Sequence, residues 1–257
     1  MSALRISSLA TALALLAIGA AAQTPAAPDQ PRPMTGMEAG GAVQPVMDQE
    51  ILAHVIFSQL EGRFGGSNPE FRWEGQGWIG GDYDKLWIKS EGTLQGGVLD
   101  DGQHQFLYSR AISTYFDLQG GLRSDIDSLP TRNWAAFGIQ GLAPYFFDLE
   151  VTGFVSSQGH LAAKLEASYD LLLTQRLILQ PQIELNVYSK ADPARMVGAG
   201  FADIDTGLRL RYEFSRKFAP YLGVVYEGKF GETASLAKRA GESTGDFRFA
   251  FGVRIWF

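Results

Sequence analysis

Residues from about 51 to the C terminus alternate between apolar and polar side chains with a period of two. In the last segment, one face carries Phe247, Phe249, Phe251, Val253, Ile255 and Phe257, and the other carries Asp246, Arg248, Ala250, Gly252, Arg254 and Trp256. The same alternation runs through 162–173, 177–190 and 203–214. These stretches have about ten residues or more, the length of a tilted strand that crosses a membrane. The pattern predicts an all-β chain whose strands have one lipid-facing and one water-facing side.

The charged positions decide which face of each strand lies inside. A Lys or Arg at the midplane of the bilayer costs a membrane barrel about 2 to 4 kcal/mol, so the charged faces are predicted to line the lumen. These positions are Arg72, Glu74, Lys89, Glu91, Asp117, Arg123, Asp148, Glu150, Lys164, Glu166, Glu184, Arg209, Arg211, Glu213, Glu227, Arg248 and Arg254. Acids and bases are mixed among them, which favours an interior paired with itself over a wide selective pore.

Short turns alternate with looser connections along this part of the chain. Five short turns are predicted in GGDYDK, YSRAISTYFDLQ, IQGLAPYFFDLE, LTQRLILQPQIELN and FSRKFAPYLGVVYE, and looser loops at about 64–68, 96–102, 126–131, 157–159, 191–201 and 230–245. Eleven connections join twelve strands, and an even number leaves both chain ends at the short-turn side. Residues 51–257 are therefore predicted to form a twelve-stranded antiparallel transmembrane β-barrel. The number and length of the strands disfavour the alternative, a soluble β-sandwich.

The N-terminal region has a different composition. Arg5, an apolar stretch over 9–18 and three alanines before Gln23 predict a cleaved export signal over 1–22, in preference to a buried helix. Prolines interleaved with Ala, Gln and Gly then continue to about Val46, and large apolar residues are nearly missing. Such a segment buries too little surface to fold, so 23–50 is predicted to be a disordered periplasmic tail.

Composition excludes several classes of function. Mean hydropathy is −0.05 and no uncharged apolar run of 18 residues follows residue 22, which excludes a helical transporter. The chain has 28 acidic against 22 basic residues and no basic stripe, so no nucleic-acid partner is expected. It contains no cysteine, and thus neither a disulfide nor a thiolate metal site.

Methionine and histidine are the remaining candidates for metal ligands. Thioethers suit Cu(I), and the tail contains the pair Met34 and Met37 and, further on, Met47. The alternative is that these methionines are scattered in a linker. His54 lies at the start of the first strand and is either a copper ligand or an ordinary histidine of the lumen wall or membrane interface. His104 and His160 are expected near the outer rim, where polar residues are common.

Several segments of the barrel resemble the copper resistance protein B family of bacterial outer-membrane proteins. They are HVIFSQLEG, LWIKSEG, LYSRAISTYFDLQ, WAAFGIQGLAPYFFDLE, SYDLLLTQRLILQPQIELNVYSK and RLRYEFSRKFAPYLGVVYE, within about 48–257. The resemblance implies a twelve-stranded barrel in the outer-membrane lipid that binds or exports copper and acts with a periplasmic multicopper oxidase. Family members often have long tails of Met, His and Asp repeats. This tail has only Met34, Met37 and Met47, so few copper ions are expected, bound by these residues and His54.

Two other functions compete with copper handling. A passive channel for small solutes is compatible with the same barrel, since the width of the lumen depends on strand tilt and packing. Outer-membrane phospholipases also have twelve strands, but they need a serine activated by a histidine, and no histidine here has a serine two residues later. No enzymatic activity is therefore expected. Glu61, Glu74 and Glu91 either complete a metal site or pair with Arg72 and Lys89, and pairing is the preferred interpretation.

Overall fold

The alternating segments of the sequence form a closed antiparallel sheet. The computed structural model describes residues 50–66 and 68–257, and within them the sheet has twelve strands. The strands are β1 (Leu52–Phe64), β2 (Glu70–Gly80), β3 (Asp84–Gln95), β4 (Val98–Ala111), β5 (Phe116–Asp125), β6 (Arg132–Ala143), β7 (Phe147–Ser156), β8 (Leu161–Tyr169, continued by Leu171–Leu172), β9 (Leu177–Tyr188), β10 (Gly200–Tyr212), β11 (Phe218–Lys229) and β12 (Gly245–Trp256). Each strand pairs with the next, and β12 pairs with β1. The predicted twelve-stranded barrel is confirmed.

The two faces of the sheet differ as the alternation predicts. Phe251, midway along β12, is 66% exposed on the outer wall, whereas Arg248 on the same strand is 6% exposed inside. Leu222 of β11 lies directly beside Phe251 and is also exposed. An apolar outer wall and a polar lumen are typical of a barrel that crosses a membrane.

The longest connections all lie at one end of the barrel. Five short turns, at 81–83, 112–115, 144–146, 173–176 and 213–217, lie at the same end as Leu52 and Trp256, and we call it the turn end. The connections at 65–69, 96–97, 126–131, 157–160, 189–199 and 230–244 lie at the opposite end, which we call the loop end. Both ends of the sheet therefore lie at the short-turn side, as predicted.

One predicted loop is wrong. Residues 98–102 belong to β4, because Gly96 (φ 58°) and Gly97 (φ 81°) form a two-residue turn. Positive φ at both central positions matches the twist of a tight hairpin, and glycine adopts it without a steric penalty. The earlier start of β4 places His104 in the middle of the strand rather than at the rim.

Ion pairs join the connections at the loop end. Arg195 donates to Asp127 at 2.5 Å and Arg132 to Asp192 at 2.8 Å, so 126–132 and 189–199 are tied together. Partial burial disfavours the charged form of Arg195 and by itself lowers its pKa. The hydrogen bonds to Asp127 and the negative charge of that carboxylate outweigh this effect, so the pKa of Arg195 lies above its ordinary value. The tied loops cover part of the lumen.

A short helix, α1 (Gly231–Ala240), lies in the last connection of the loop end. The Thr233 hydroxyl accepts a hydrogen bond from the Gly198 backbone at 2.9 Å, which joins the helix to the 189–199 connection. In the part of the chain that the structure describes, no helix has the length and apolar character needed to cross a membrane.

The N-terminal expectations lie outside the described residues. These are the signal peptide over 1–22, the tail up to residue 49, and the candidate ligands Met34, Met37 and Met47. Of the four predicted metal ligands, the structure therefore places His54.

A charge on the outer wall is expected to destabilise the barrel. Phe251→Arg puts a guanidinium midway along β12 on the lipid-facing side, and the expected loss is about 2 to 4 kcal/mol of unfolding free energy. Urea unfolding of the protein in lipid vesicles measures it, with Phe251→Leu as the matched apolar control. Equal stability of the two variants would show that this face does not meet hydrocarbon.

Candidate functional site

The lumen contains charged side chains that are almost fully buried. Arg63, Arg209, Arg211 and Glu61 are among the most buried side chains of the described residues. A buried charge is tolerated when it is paired and hydrogen-bonded, because transfer from water into the protein is costly. The electrostatic partners of these groups therefore define what the lumen can bind.

Glu61 of β1 lies at the centre of one ion-pair network. Its carboxylate accepts hydrogen bonds from Arg63 at 2.8 Å, from Arg209 at 2.8 and 2.9 Å, and from the Tyr221 hydroxyl at 2.9 Å. Arg63 also donates to Asp205 of β10 at 2.7 Å. The network joins β1, β10 and β11 across the interior and fills this part of the lumen.

A bulge in β1 places two more polar side chains on the inner wall. The pairing of β1 with β2 shifts register between Phe57 and Gln59, so Ser58 and Gln59 both point inward. Each donates to Glu74 at 2.7 Å. Inward-facing residues of β1 have even numbers before the bulge and odd numbers after it. His54 and Glu61 therefore both face the lumen.

A second group of charges crosses the middle of the lumen. The Lys164 ammonium lies 2.5 Å from Glu91, 2.5 Å from Glu166 and 3.3 Å from Glu184. Arg72 donates to Glu184 at 3.0 Å. We call Lys164 and its three carboxylates the waist cluster.

Cavities lie on both sides of the waist cluster. The turn-side cavity has a volume of about 390 Å³ and is lined by Glu91 and Glu166, among others. The loop-side cavity has a volume of about 330 Å³ and is lined by Glu184. Lys164 contacts carboxylates of both cavities and therefore lies between them.

Carboxylates outnumber cationic side chains in both cavities. The loop-side cavity has five Lys and Arg residues and eleven carboxylates, namely Glu70, Asp100, Asp101, Asp125, Asp127, Glu184, Asp192, Asp203, Asp205, Glu227 and Glu242. The turn-side cavity has the bases Lys89 and Arg254 and the acids Glu74, Glu91, Asp148, Glu150 and Glu166. Several of these carboxylates pair with Arg63, Lys164 and Arg248, which do not line the cavities. The carboxylates that remain in excess favour cations over anions.

His54 lies among tryptophans on the inner wall at the turn end. Its ring centroid is 5.5 Å from that of Trp256 and 6.2 Å from that of Trp78, and Trp87 lies 6.2 Å beyond Trp78. Among residues 50–66 and 68–257, no side chain forms a hydrogen bond with the imidazole of His54. The imidazole offers a nitrogen ligand. The neighbouring indole rings already have cations over them, with Lys85 Nζ 5.7 Å from the Trp78 centroid and Lys217 Nζ 5.6 Å from the Trp256 centroid.

The other two histidines differ in position. His160 directly precedes β8 and lines the loop-side cavity, near the rim as predicted. His104 is a correction: it lies in the middle of β4 on the outer wall, where its Nδ1 is 3.1 Å from the Ser90 hydroxyl. It faces away from the lumen because the register places it opposite Ser90, between the inward-facing Gln103 and Gln105.

The carboxylates considered as ligands are paired, but with other partners than expected. Glu61 pairs with Arg63 and Arg209, and Glu91 with Lys164. The expected partners contact different acids: Arg72 lies 3.0 Å from Glu184 and Lys89 lies 2.6 Å from Glu150. Glu61 thus fits the preferred interpretation of pairing, Glu91 pairs with a lysine among further carboxylates, and Glu74 accepts hydrogen bonds from Ser58 and Gln59 rather than from a basic side chain.

Sequence reasoning missed the aromatic cluster around His54. Trp78, Trp87 and Trp256 share parity with Glu74, Lys89 and Arg254, so the alternation already places them on the inner wall. It also missed Met196, which lines the loop-side cavity from a connection without periodicity. Of these missed residues, only the tryptophans could have been predicted, because the alternation places them on the inner wall.

Removing one member of the Glu61 network is expected to destabilise the barrel strongly. Glu61→Gln leaves Arg63 and Arg209 short of a counter-charge, at an expected cost of about 3 to 5 kcal/mol. The exposed pair Lys229–Glu242, 2.8 Å apart, provides the control, and Glu242→Gln should cost less than about 1 kcal/mol. Urea unfolding in vesicles compares the two, and equal costs would contradict a tightly paired interior.

Comparisons with known proteins agree with this architecture. The family model described as copper resistance protein B precursor matches residues 51–257. Copper resistance protein B of Escherichia coli is 45% identical, and its homolog in Pseudomonas syringae pv. tomato is 42% identical, each over 82% of this chain and 72% of the relative.

Among solved structures, the NanC porin is similar, with a TM-score of 0.51 and 13% identity over 79% of this chain and 99% of the porin chain, which supports the fold alone. The sequence relatives support a part in copper resistance, and with the barrel fold they support a location in the outer membrane. The chain belongs to the copper resistance protein B family.

Proposed function

We propose that this barrel binds copper at its turn end and passes it through the lumen for export or sequestration. The observation that carries the proposal is the position of His54 on the inner wall, beside Trp78 and Trp256. The N-terminal segment joins the barrel only a few residues before His54. In this proposal the turn end and the tail face the periplasm, and the loop end faces outward.

The tail supplies the second part of the proposed site. Met34, Met37 and Met47 are the ligands that the tail contributes in this proposal, and His54 is the ligand that the barrel contributes. Thioether and imidazole ligands suit copper.

The charges of the lumen support passage of a cation rather than of a neutral solute. Both cavities have more carboxylates than bases, which favours entry of positive ions. The waist cluster fills the space between the cavities with paired charges, unlike the open path of a passive channel. Copper is cargo here and takes part in no chemical step, so the proposal includes no enzymatic activity.

The proposal includes one protein partner and one environment. A periplasmic multicopper oxidase is the expected exchange partner for copper held by the tail, and outer-membrane lipid surrounds the barrel. Family membership and the apolar outer wall support these two assignments.

Replacement of the proposed ligands is expected to lower copper binding by the protein and copper tolerance of the cell. Metal analysis of the detergent-folded protein after copper exposure should find copper in the native chain. A variant with Met34→Leu, Met37→Leu, Met47→Leu and His54→Gln should retain much less, and it should fail to restore copper tolerance to a strain that lacks the gene. His104→Gln is the matched control, because this histidine faces outward.

Deletion of residues 23–46 tests the contribution of the tail to copper binding separately from that of the barrel, in the same assay. Weaker copper binding with intact heat-modifiable folding is expected. Equal binding by the shortened chain would move the site to the barrel. Undiminished tolerance in cells without the gene, or large steady currents in a planar bilayer with no copper retained, would contradict the proposal in favour of a passive channel.

Copper at His54 is also expected to quench tryptophan fluorescence. The ring of His54 lies 5.5 Å from Trp256 and 6.2 Å from Trp78, so an ion on the imidazole comes close to two of the five indoles. Titration of the folded barrel with copper should reduce emission in the native chain. His54→Gln should suppress the effect, whereas His160→Gln should not. Quenching that persists without His54 would place the ion elsewhere.

A further inference from the structure

The waist cluster has the composition of a cation site that already contains a cation. Glu91, Glu166 and Glu184 each offer an oxygen within 4.8 Å of the others. The ammonium of Lys164 lies among these carboxylates at 2.5, 2.5 and 3.3 Å. Lysine has a flexible four-carbon stem, so its charge can leave such a position without movement of the backbone.

A buried amide oxygen of the residue paired with Glu91, and another of the residue paired with Lys89, lack hydrogen-bond donors among the described residues. Gln103 lies directly opposite Glu91 in the register and lines both cavities. Its side chain is 8% exposed, and its Oε1 has no hydrogen-bond partner in the described part of the chain. Gln105, the next inward residue of β4, is 6% exposed and its Oε1 is also unpartnered. A buried acceptor without a donor is unfavourable, and a cation satisfies it.

The balance of charge favours a divalent ion in place of the lysine. Three carboxylates surround Lys164, and Arg72 lies 3.0 Å from Glu184 and 3.6 Å from Asp205, so two positive charges face four negative ones. A divalent ion in place of the ammonium reduces this excess of negative charge. The displaced ammonium has the carboxylate-rich loop-side cavity next to it.

We propose that Glu91, Glu166, Glu184 and the Gln103 amide oxygen form a binding site for a divalent cation at the middle of the lumen, with Lys164 as a tethered cation that a passing ion displaces. Carboxylate and carbonyl oxygens bind divalent ions such as Mn²⁺, and Cu²⁺ binds such ligand sets more tightly. Lys164 then closes the path between the two cavities while the site is empty of metal. The inference rests on the proposed passage of copper for its biological meaning, but the site itself does not depend on His54.

The first test replaces the tethered cation. Lys164→Gln should bind Mn²⁺ about tenfold more tightly than the native chain, as measured by electron paramagnetic resonance of the detergent-folded protein. It should also increase cation conductance in planar bilayers. Lys164→Arg keeps the charge and should behave like the native chain. Heat-modifiable migration confirms folding of each variant, and unchanged Mn²⁺ binding and conductance in folded Lys164→Gln would overturn the proposal.

A second variant keeps Lys164 and covers the case in which Lys164→Gln does not fold. Glu166 is the most exposed carboxylate of the three, and Glu166→Gln should weaken Mn²⁺ binding to the native chain about tenfold. Asp117→Asn is the matched control, because it removes a lumenal carboxylate that pairs with Lys85 at the turn end. If both variants weaken Mn²⁺ binding equally, the ion responds to lumenal negative charge in general, and the proposed site is overturned.

The outcomes distinguish the waist site from the copper site at the turn end. His54→Gln should lower copper retention and leave Mn²⁺ binding by Lys164→Gln unchanged. Mn²⁺ binding that Lys164→Gln strengthens, in a protein whose Cu(I) retention does not depend on His54, would support the site and contradict the proposed function. Copper retention that depends on His54, with no effect of Lys164→Gln on Mn²⁺ binding, would support the proposed function and contradict the waist site.

Discussion

Every backbone N–H and C=O group of a strand in hydrocarbon must be hydrogen-bonded within the protein, and this constraint shapes the whole molecule. It is met by the pairing of β1 with β12, which leaves no free edge in the sheet. Closure then divides the side chains into two environments that do not mix. The outer wall must be apolar, and the polar half of each strand is enclosed.

An enclosed polar interior has to balance its own charge. Pairs such as Arg63 with Asp205, 142 positions apart in the chain, and Arg209 with Glu61 connect strands that are distant in sequence. The same pairs fill space that water or solute would otherwise occupy. Charge in this lumen therefore has two consequences: it joins the walls, and its excess of carboxylates makes the remaining cavities attractive to cations.

The chemistry of the lumen changes along its length. At the turn end, His54 and its tryptophans provide nitrogen and aromatic surfaces. At the middle, Lys164 lies among oxygen ligands, and beyond it the loop-side cavity has His160 and Met196 beside its carboxylates. The potential ligands in the described part of the chain thus change from nitrogen to oxygen, and then to oxygen with nitrogen and sulfur, along the lumen.

The sequence by itself determined the number of strands, the inward direction of the charges predicted for the lumen and the barrel end at which both ends of the sheet lie, because alternation depends only on neighbours along the strand. It did not place Glu61 and Arg63, which are among the most buried charges of the described residues. It did not determine the bulge at Ser58 and Gln59, or the tight turn at Gly96 and Gly97 that places His104 in the middle of β4 rather than near the rim. Nor did it determine the partners of Arg72 and Lys89. Those contacts cross the lumen, and the stagger of the closed sheet sets which heights face each other, a property of the tertiary structure alone.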